Sequence, residues 1–356
     1  MRYVFPVTLT EHPGRKPDPA DLAFGTVFTD HMFVMDYHDG QGWHDGRIVP
    51  YGPISLDPAA SCLHYGQEVF EGLKAYRTED GRVQLFRPYM NAARLNRTNR
   101  RLCIPELDED LFVSAVQALV KVDRDWIPEG EGTSLYIRPF IFATEPSLGV
   151  HRSPSYRFMI ILSPVGSYFA AGFQPTRMYV EDTYVRAVPG GTGETKCAGN
   201  YGGAMKAQED AAAKGFEQIL WLDGIEHRYV EEIGAANAFF VIGGEICTSA
   251  LNGSILPGIT RDTILALCKR KGYVVKERKI SIEELLDACR AGELREMFAS
   301  GTAAIVSPVG ELVYQGESLK IGDGSIGPVA KEMYETIYGI QTGRIEDFMG
   351  WIYPVN

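Results

Sequence analysis

Lys196 stands at the end of a glycine-rich approach, Arg186-Ala-Val-Pro-Gly-Gly-Thr-Gly-Glu-Thr-Lys196-Cys-Ala-Gly-Asn-Tyr201, rather than on a charged helix face. Glycine is used where a backbone must turn tightly or come close to another group. A lysine set there can act as an amine nucleophile once it loses its proton. Taken alone it is more often a solvated surface charge. Phosphate-loop patterns fail here: the glycines fall one substitution short of a dinucleotide fingerprint, and none precedes the lysine as a Walker loop requires. Three other stretches carry complementary groups. Tyr229-Val-Glu-Glu-Ile-Gly-Ala-Ala-Asn237 holds an acidic pair between an apolar strand and a small-residue turn. Leu256-Pro-Gly-Ile-Thr-Arg261 runs a Pro-Gly turn into a helix, and a helix start with free N–H groups near Ile259 and Thr260 is a ready anion site. Ser300-Gly-Thr-Ala-Ala304 is a small-residue turn that offers backbone N–H groups and the Thr302 hydroxyl.

A capped helix, a satisfied carboxylate or a tight turn would account for each stretch singly. Together, a lysine, a carboxylate and two anion-binding turns suit pyridoxal phosphate. The lysine attaches it, the carboxylate holds the pyridinium nitrogen protonated, and the turns take the phosphate.

The elements that must position these groups fall into two halves. Residues 11–20 are rich in proline and charge and read as an extended arm. Strands are expected over 26–37, 47–51, 65–76, 83–86, 134–142 and 157–162, the third with unusual polar content at Gln67, Glu68 and Glu71. Helical spacing covers 91–102 and 109–122, the latter with Phe112, Val116, Leu119 and Val120 on one face. Periodicity is then lost after Gly166. The second half gives helices at 204–214, 260–271, 282–291 (opened by a Ser281/Glu284 capping box) and after Pro328. Its strands are expected at 217–222, 239–247, 273–277, 296–299 and 303–307. The predicted organisation is an α+β domain over 1–169, a linker over 170–183 and a cofactor-binding domain over 184–356.

Bulk composition excludes several functions. A net charge of −11 with no long basic stripe argues against nucleic acid. Six dispersed cysteines without a Cys-x-x-Cys pair argue for a reducing compartment, against a disulfide scaffold and against a zinc site. Cys197 beside Lys196 reads as a small buried thiol. No stretch has the length and apolarity of a signal peptide or membrane span, so a cytoplasmic protein is expected.

From about Phe24 onward the chain closely resembles the branched-chain amino acid aminotransferases, class IV enzymes dependent on pyridoxal phosphate. The resemblance is carried by Phe24-Gly-Thr-Val-Phe-Thr-Asp-His, Leu63-His-Tyr, Phe70-Glu-Gly-Leu-Lys-Ala, Tyr136-Ile-Arg-Pro and Glu145-Pro-Ser-Leu-Gly-Val. It continues through Lys196-Cys-Ala-Gly-Asn-Tyr, Glu232-Ile-Gly, Asn252-Gly-Ser-Ile-Leu-Pro-Gly and Ser300-Gly-Thr-Ala. It implies a two-domain α/β (α+β) enzyme of fold type IV, like the D-amino acid aminotransferases, with a smaller N-terminal domain, a larger C-terminal one and the cofactor between them. It also implies a homodimer, because the family builds its pocket from two subunits. The implied reaction is reversible ping-pong transfer of the amino group of leucine, isoleucine or valine to 2-oxoglutarate, giving glutamate.

The resemblance also implies residue roles. Lys196 would carry the cofactor and move the substrate Cα proton to its C4′ atom. Glu232 would face the pyridine nitrogen and Tyr201 the phenolic oxygen. Arg94 and the N–H groups of Ile259 and Thr260 would hold the phosphate, with Arg186 and Thr302 also at the cofactor. The N–H groups at Thr302 and Ala303 would meet the substrate α-carboxylate. Phe24, Tyr65, Phe70, Tyr136, Val150 and Tyr168 would wall the branched side chain, and Arg138 would take the γ-carboxylate of glutamate. Animal relatives carry a Cys-x-x-Cys pair after the Ser-Gly-Thr-Ala turn. Here Ala304 and Ser307 stand in its place, which excludes a thiol switch, and Ala235 lacks the hydroxyl that some relatives have after the cofactor carboxylate.

Overall fold

The structure, a computed structural model, describes residues 3–166 and 173–356; Tyr168 and the first residues of the expected 170–183 linker lie outside them. In chain order the elements begin β1 (His31–His38), β2 (Gly42–Pro50), α1 (Ser61–Tyr65), β3 (Glu68–Phe70), β4 (Leu73–Arg77) and β5 (Val83–Phe86). They continue with α2 (Pro88–Arg101), α3 (Glu109–Val122), β6 (Ser134–Ala143), β7 (Ser155–Val165), β8 (Thr176–Glu181), α4 (Gly199–Gly202) and α5 (Met205–Ala213). Next come β9 (Gln218–Leu222), β10 (Val230–Ile233), β11 (Ala236–Ile242), β12 (Glu245–Ser249), α6 (Ile259–Lys271) and β13 (Val275–Arg278). The chain ends with α7 (Ile282–Arg290), β14 (Leu294–Gly301), β15 (Ile305–Tyr314), β16 (Glu317–Lys320), α8 (Pro328–Thr342) and β17 (Ile352–Pro354).

Two compact units result. One takes the described residues up to 166 with Lys196–Ala198 and Gly339–Asn356; the other takes 173–195 and Gly199–Tyr338. Where the sequence reading keeps 184–356 together, Lys196–Ala198 therefore belongs with the first unit. Backbone pairing is the reason: the Phe70 N–H donates to the Lys196 carbonyl at 3.0 Å, and the Ala198 N–H donates to Glu68 at 3.2 Å.

The first unit is built on an antiparallel sheet in the order β17-β5-β4-β6-β7-β1-β2, with β3 also on β6. Strand side chains alternate between faces. Leu135, Ile137 and Ile141 of β6 join Phe33, Phe158, Leu95 and the α3 stripe in the core. Tyr136, Arg138 and Phe140 therefore take the opposite face. The α3 stripe is the one read from sequence, and Asp108 caps the helix by accepting from the Leu111 N–H at 2.9 Å. The single strand expected over 65–76 is broken into the end of α1, β3 and β4. Gly66 caps α1 in the left-handed region, at φ 63°. A Cβ at Gly72 would collide with the Tyr136 hydroxyl, so the break at 71–72 needs glycine.

In the second unit the sheet order is β10-β9-β8-β15-β14-β11-β12-β13, with β16 on β15. β10 also pairs with β11, so six strands close into a ring. Residues 176–181, expected inside a linker, form β8 between β9 and β15, with Met178 and Val180 fully buried. The Gln-Pro-Thr-Arg opening of that segment hides its short alternation. Half of the capping box appears: Ser281 accepts from the Glu284 N–H at 3.1 Å, while the Glu284 carboxylate accepts from Arg278.

The approach to Lys196 is tightly packed rather than roomy. A Cβ on Gly193 would strike the Ser254 carbonyl and the Ala187 side chain, whereas nothing lies within 4 Å of one on Gly199. Denaturant unfolding of Gly193→Ala is expected to show a loss of about 1–3 kcal/mol from overpacking. Gly199→Ala should stay within about 0.5 kcal/mol of the parent.

Candidate active site

In the first unit the chemistry gathers around the Lys196 amine. Its backbone N–H donates to Thr98 Oγ1 at 3.1 Å, and its Nζ lies 4.5 Å from the centre of the Phe70 ring. Glu71 is fully buried and accepts from Arg94 Nε at 2.7 Å and Nη2 at 2.8 Å, from Asn91 Nδ2 at 2.7 Å and from the Gly72 N–H at 3.1 Å. Burial is the largest influence on that carboxyl and opposes its charge. Arg94, Lys196 and Asn91 together outweigh it and hold the carboxyl below its ordinary value. Lys196 is pushed down to about 8, first by burial and then by the Arg94 charge, with Arg138 adding and Glu71 and Tyr136 opposing. The residue as a whole keeps some exposure, so the lowering belongs to its enclosed amine. An amine that sheds its proton near neutrality is a usable nucleophile and base.

The exposed face of β6 supplies a wall beside that amine. Arg138 lies over Phe70, with Cζ 4.6 Å from the ring centre, and its Nη2 donates to the Tyr136 hydroxyl at 3.2 Å. The Phe24 ring meets Tyr136 edge-on at 4.9 Å. Arg138 Nε is buried without a hydrogen-bond partner among the described residues. Phe24, Phe70, Tyr136 and Arg138 are thus brought together. Tyr65 and Val150 are instead surface residues, 45% and 82% exposed; Tyr65 donates to the Leu148 carbonyl at 2.5 Å.

The second unit holds the acidic end. Glu232, 2% exposed, accepts through Oε1 from the Leu256 N–H at 3.0 Å and from Asn237 Nδ2 at 3.1 Å. Its Oε2 lies 3.0 Å from Arg186 Nε, an ion pair without the alignment of a hydrogen bond. Arg186 Nη2 donates to the carbonyls of Gly193 and Ser254. A Cβ on Gly258 would strike Asn237 Oδ1, so glycine alone lets α6 start beside that side chain. Gly258 gives α6 no side-chain cap, which leaves the turn at Ile259 and Thr260 suited to an anion. Thr302 and Ala303 sit in the turn between β14 and β15, where Gly301 pairs with Ile305 and Ile305 adopts φ 65°. Tyr201 lies in α4 beside Asn200, whose Nδ2 donates to the carbonyls of Thr192 at 2.8 Å and Thr195 at 2.9 Å.

Sequence reasoning expects both Arg94 and Arg186 at a phosphate; here their guanidinium groups bind Glu71 and Glu232. It gave no role to Glu71, Asn91, Asn200 or Asn237. The signal for Glu71 was available: a carboxylate inside an otherwise apolar stretch. Among the described residues no His/Cys/Asp/Glu group could hold a metal, and all six cysteines are free. The enclosed low-pKa amine of the first unit, and the buried Glu232 carboxylate and uncapped glycine helix start of the second, are each groups that suit pyridoxal phosphate.

Comparison with known proteins identifies the family. The chain is 58% identical over 349 residues to branched-chain-amino-acid aminotransferase 2 of Bacillus subtilis, covering 98% of this chain and 96% of that one. It is 56% identical to branched-chain-amino-acid transaminase 1 of the same organism, covering 96% of each. Among solved structures, the branched-chain amino acid aminotransferase of Escherichia coli superposes with a TM-score of 0.77 at 28% identity, over 91% of this chain and 99% of that one. The enzyme of Thermoproteus uzoniensis gives 0.74 at 26% identity, over 91% and 100%. The model of the class IV amino-transferase family matches residues 68–312, a span that includes Lys196, Glu232 and the α6 start. The chain belongs to the class IV aminotransferase family.

Proposed function

We propose that this enzyme is a branched-chain amino acid aminotransferase that moves the amino group of leucine, isoleucine or valine reversibly to 2-oxoglutarate. The near-full-length 58% identity to a Bacillus subtilis enzyme of that name carries the reading. When bound, pyridoxal phosphate supplies a ring that accepts the electrons released at the substrate Cα. Lys196 would attach it, and its Nζ, lowered toward about 8, would serve as the base that moves the substrate Cα proton. Glu232 would pair with the ring nitrogen and Tyr201 with the phenolic oxygen. Arg94, Arg186, Thr302 and the N–H groups of Ile259 and Thr260 would receive the phosphate, and the Thr302–Ala303 turn would receive the substrate α-carboxylate.

The wall of Phe24, Phe70 and Tyr136 favours a branched side chain by roughly 1.5–3 kcal/mol of burial. Arg138 gives a γ-carboxylate its charged partner in the same pocket, as the ping-pong cycle needs. Tyr65 and Val150, like Leu63 and Leu148 at 62% and 65% accessible, are exposed apolar side chains, and such surface supports a homodimer whose partner pocket they would complete. Among the described residues no helix is long and apolar enough to cross a membrane.

The purified holoenzyme should be yellow, with a visible band that borohydride bleaches and that Lys196→Ala loses as a covalent adduct. L-leucine should convert the band and 2-oxoglutarate restore it; a response to D-alanine but not to L-leucine would overturn the assignment. Arg138→Leu should raise KM for 2-oxoglutarate roughly 10- to 100-fold, the worth of a charged hydrogen-bond partner, and leave leucine much less affected. Cofactor uptake by the unloaded chain should accelerate as pH rises through about 8 rather than 10.5, because the Lys196 amine must be neutral to attach. Unfolding relieves that depression, so between about 8 and 10.5 the unfolded chain holds the extra proton and this group's contribution to stability rises with pH.

A further inference from the structure

Glu231 precedes the carboxylate assigned to the ring nitrogen, and none of the steps above uses it. It is 1% exposed. Its Oε1 accepts from Asn252 Nδ2 at 2.9 Å and from the Ser254 hydroxyl. Its Oε2 is buried without a hydrogen-bond partner among the described residues. Neighbouring strand residues ordinarily point to opposite faces. Glu231 and Glu232 nevertheless both meet the 252–256 segment, because the β9–β10 register shifts between Val230 and Ile233.

Through that segment the two carboxylates are joined to one cation. Ser254, held by Glu231 through its hydroxyl, offers its carbonyl to Arg186 Nη2, while Arg186 Nε lies 3.0 Å from Glu232 Oε2. An arginine at Glu232 weakens that carboxylate's attraction for a second cation. A second buried carboxylate restores it and leaves these three groups with one net negative charge, matched by a pyridinium. Holding Ser254 alone would need only a neutral acceptor, so the charge itself requires a reason.

We propose that Glu231 is a positioning residue that keeps the cofactor ring nitrogen protonated, anchoring the turn that orients Glu232 and offsetting the Arg186 charge. The proposal rests on Glu232 facing that nitrogen. Its test is the nitrogen-15 resonance of holoenzyme loaded with ring-labelled pyridoxal phosphate, together with the dissociation constant for pyridoxamine phosphate. Glu231→Gln keeps size and acceptor but removes charge. It should move the resonance toward that of an unprotonated ring and weaken binding roughly tenfold, equivalent to one pKa unit. Glu231→Asp should stay near the parent. An unmoved resonance in Glu231→Gln, or an Asp variant that behaves like Gln, overturns the proposal. Glu232→Gln separates the two ideas: if it moves the resonance and Glu231→Gln does not, only the role of Glu231 falls. If neither moves it, the Glu232 reading falls as well. Should Glu231→Gln not fold, Glu231→Asp against Glu231→Asn makes the same comparison of charge.

Discussion

The constraint on which the site depends is the short backbone pairing that fastens Lys196–Ala198 to β3. Two hydrogen bonds, from Phe70 to Lys196 and from Ala198 to Glu68, are each worth only about 0.5–1.5 kcal/mol net. Their value is positional. They fix the lysine backbone on the strand that also carries Phe70, and they do so immediately before Glu71 turns inward. Glu71 and Arg94 form a buried ion pair directly behind the amine. Such a pair adds little to stability over apolar packing, but removing one partner leaves a buried charge and costs about 3–5 kcal/mol. The lysine is therefore held at its backbone by hydrogen bonds, and its amine feels the charges of a pair that resists change.

The same logic governs the arginines. A guanidinium next to a buried carboxylate satisfies the desolvated charge of both groups, and Arg94 with Glu71 and Arg186 with Glu232 each do this within one unit. A phosphate that arrives at either arginine must share it. The start of α6 has no side-chain cap, so the donors it offers an anion are backbone amides.

Much of this was legible in the sequence, and the failures have physical causes. The α3 stripe, the Ser281 cap and the α6 start depend on local patterns, and the structure places them where those patterns do. The separate motifs around Lys196, Glu232 and Thr302 were also visible, because special backbone and charge stand out locally. The break at Glu71–Gly72 is not legible, since the side chains it packs against, Arg94 and Tyr136, lie 23 or more positions away. β8 reads as a linker because its partners, β9 and β15, lie far along the chain. The allegiance of Lys196–Ala198 to the first unit depends on pairing with a strand more than a hundred residues earlier. Side-chain periodicity does not register pairings of that kind.

The alternation along β6 has a consequence for how such an enzyme diversifies. Leu135, Ile137 and Ile141 answer to packing, and Tyr136, Arg138 and Phe140 answer to what lies in front of the sheet. Because the two sets interleave at every second residue, selection can rewrite one while the other stays constant. A lineage can drift toward bulkier, smaller or more acidic amino acids by exchanging even-numbered positions, and inherit its folding unchanged from the odd ones.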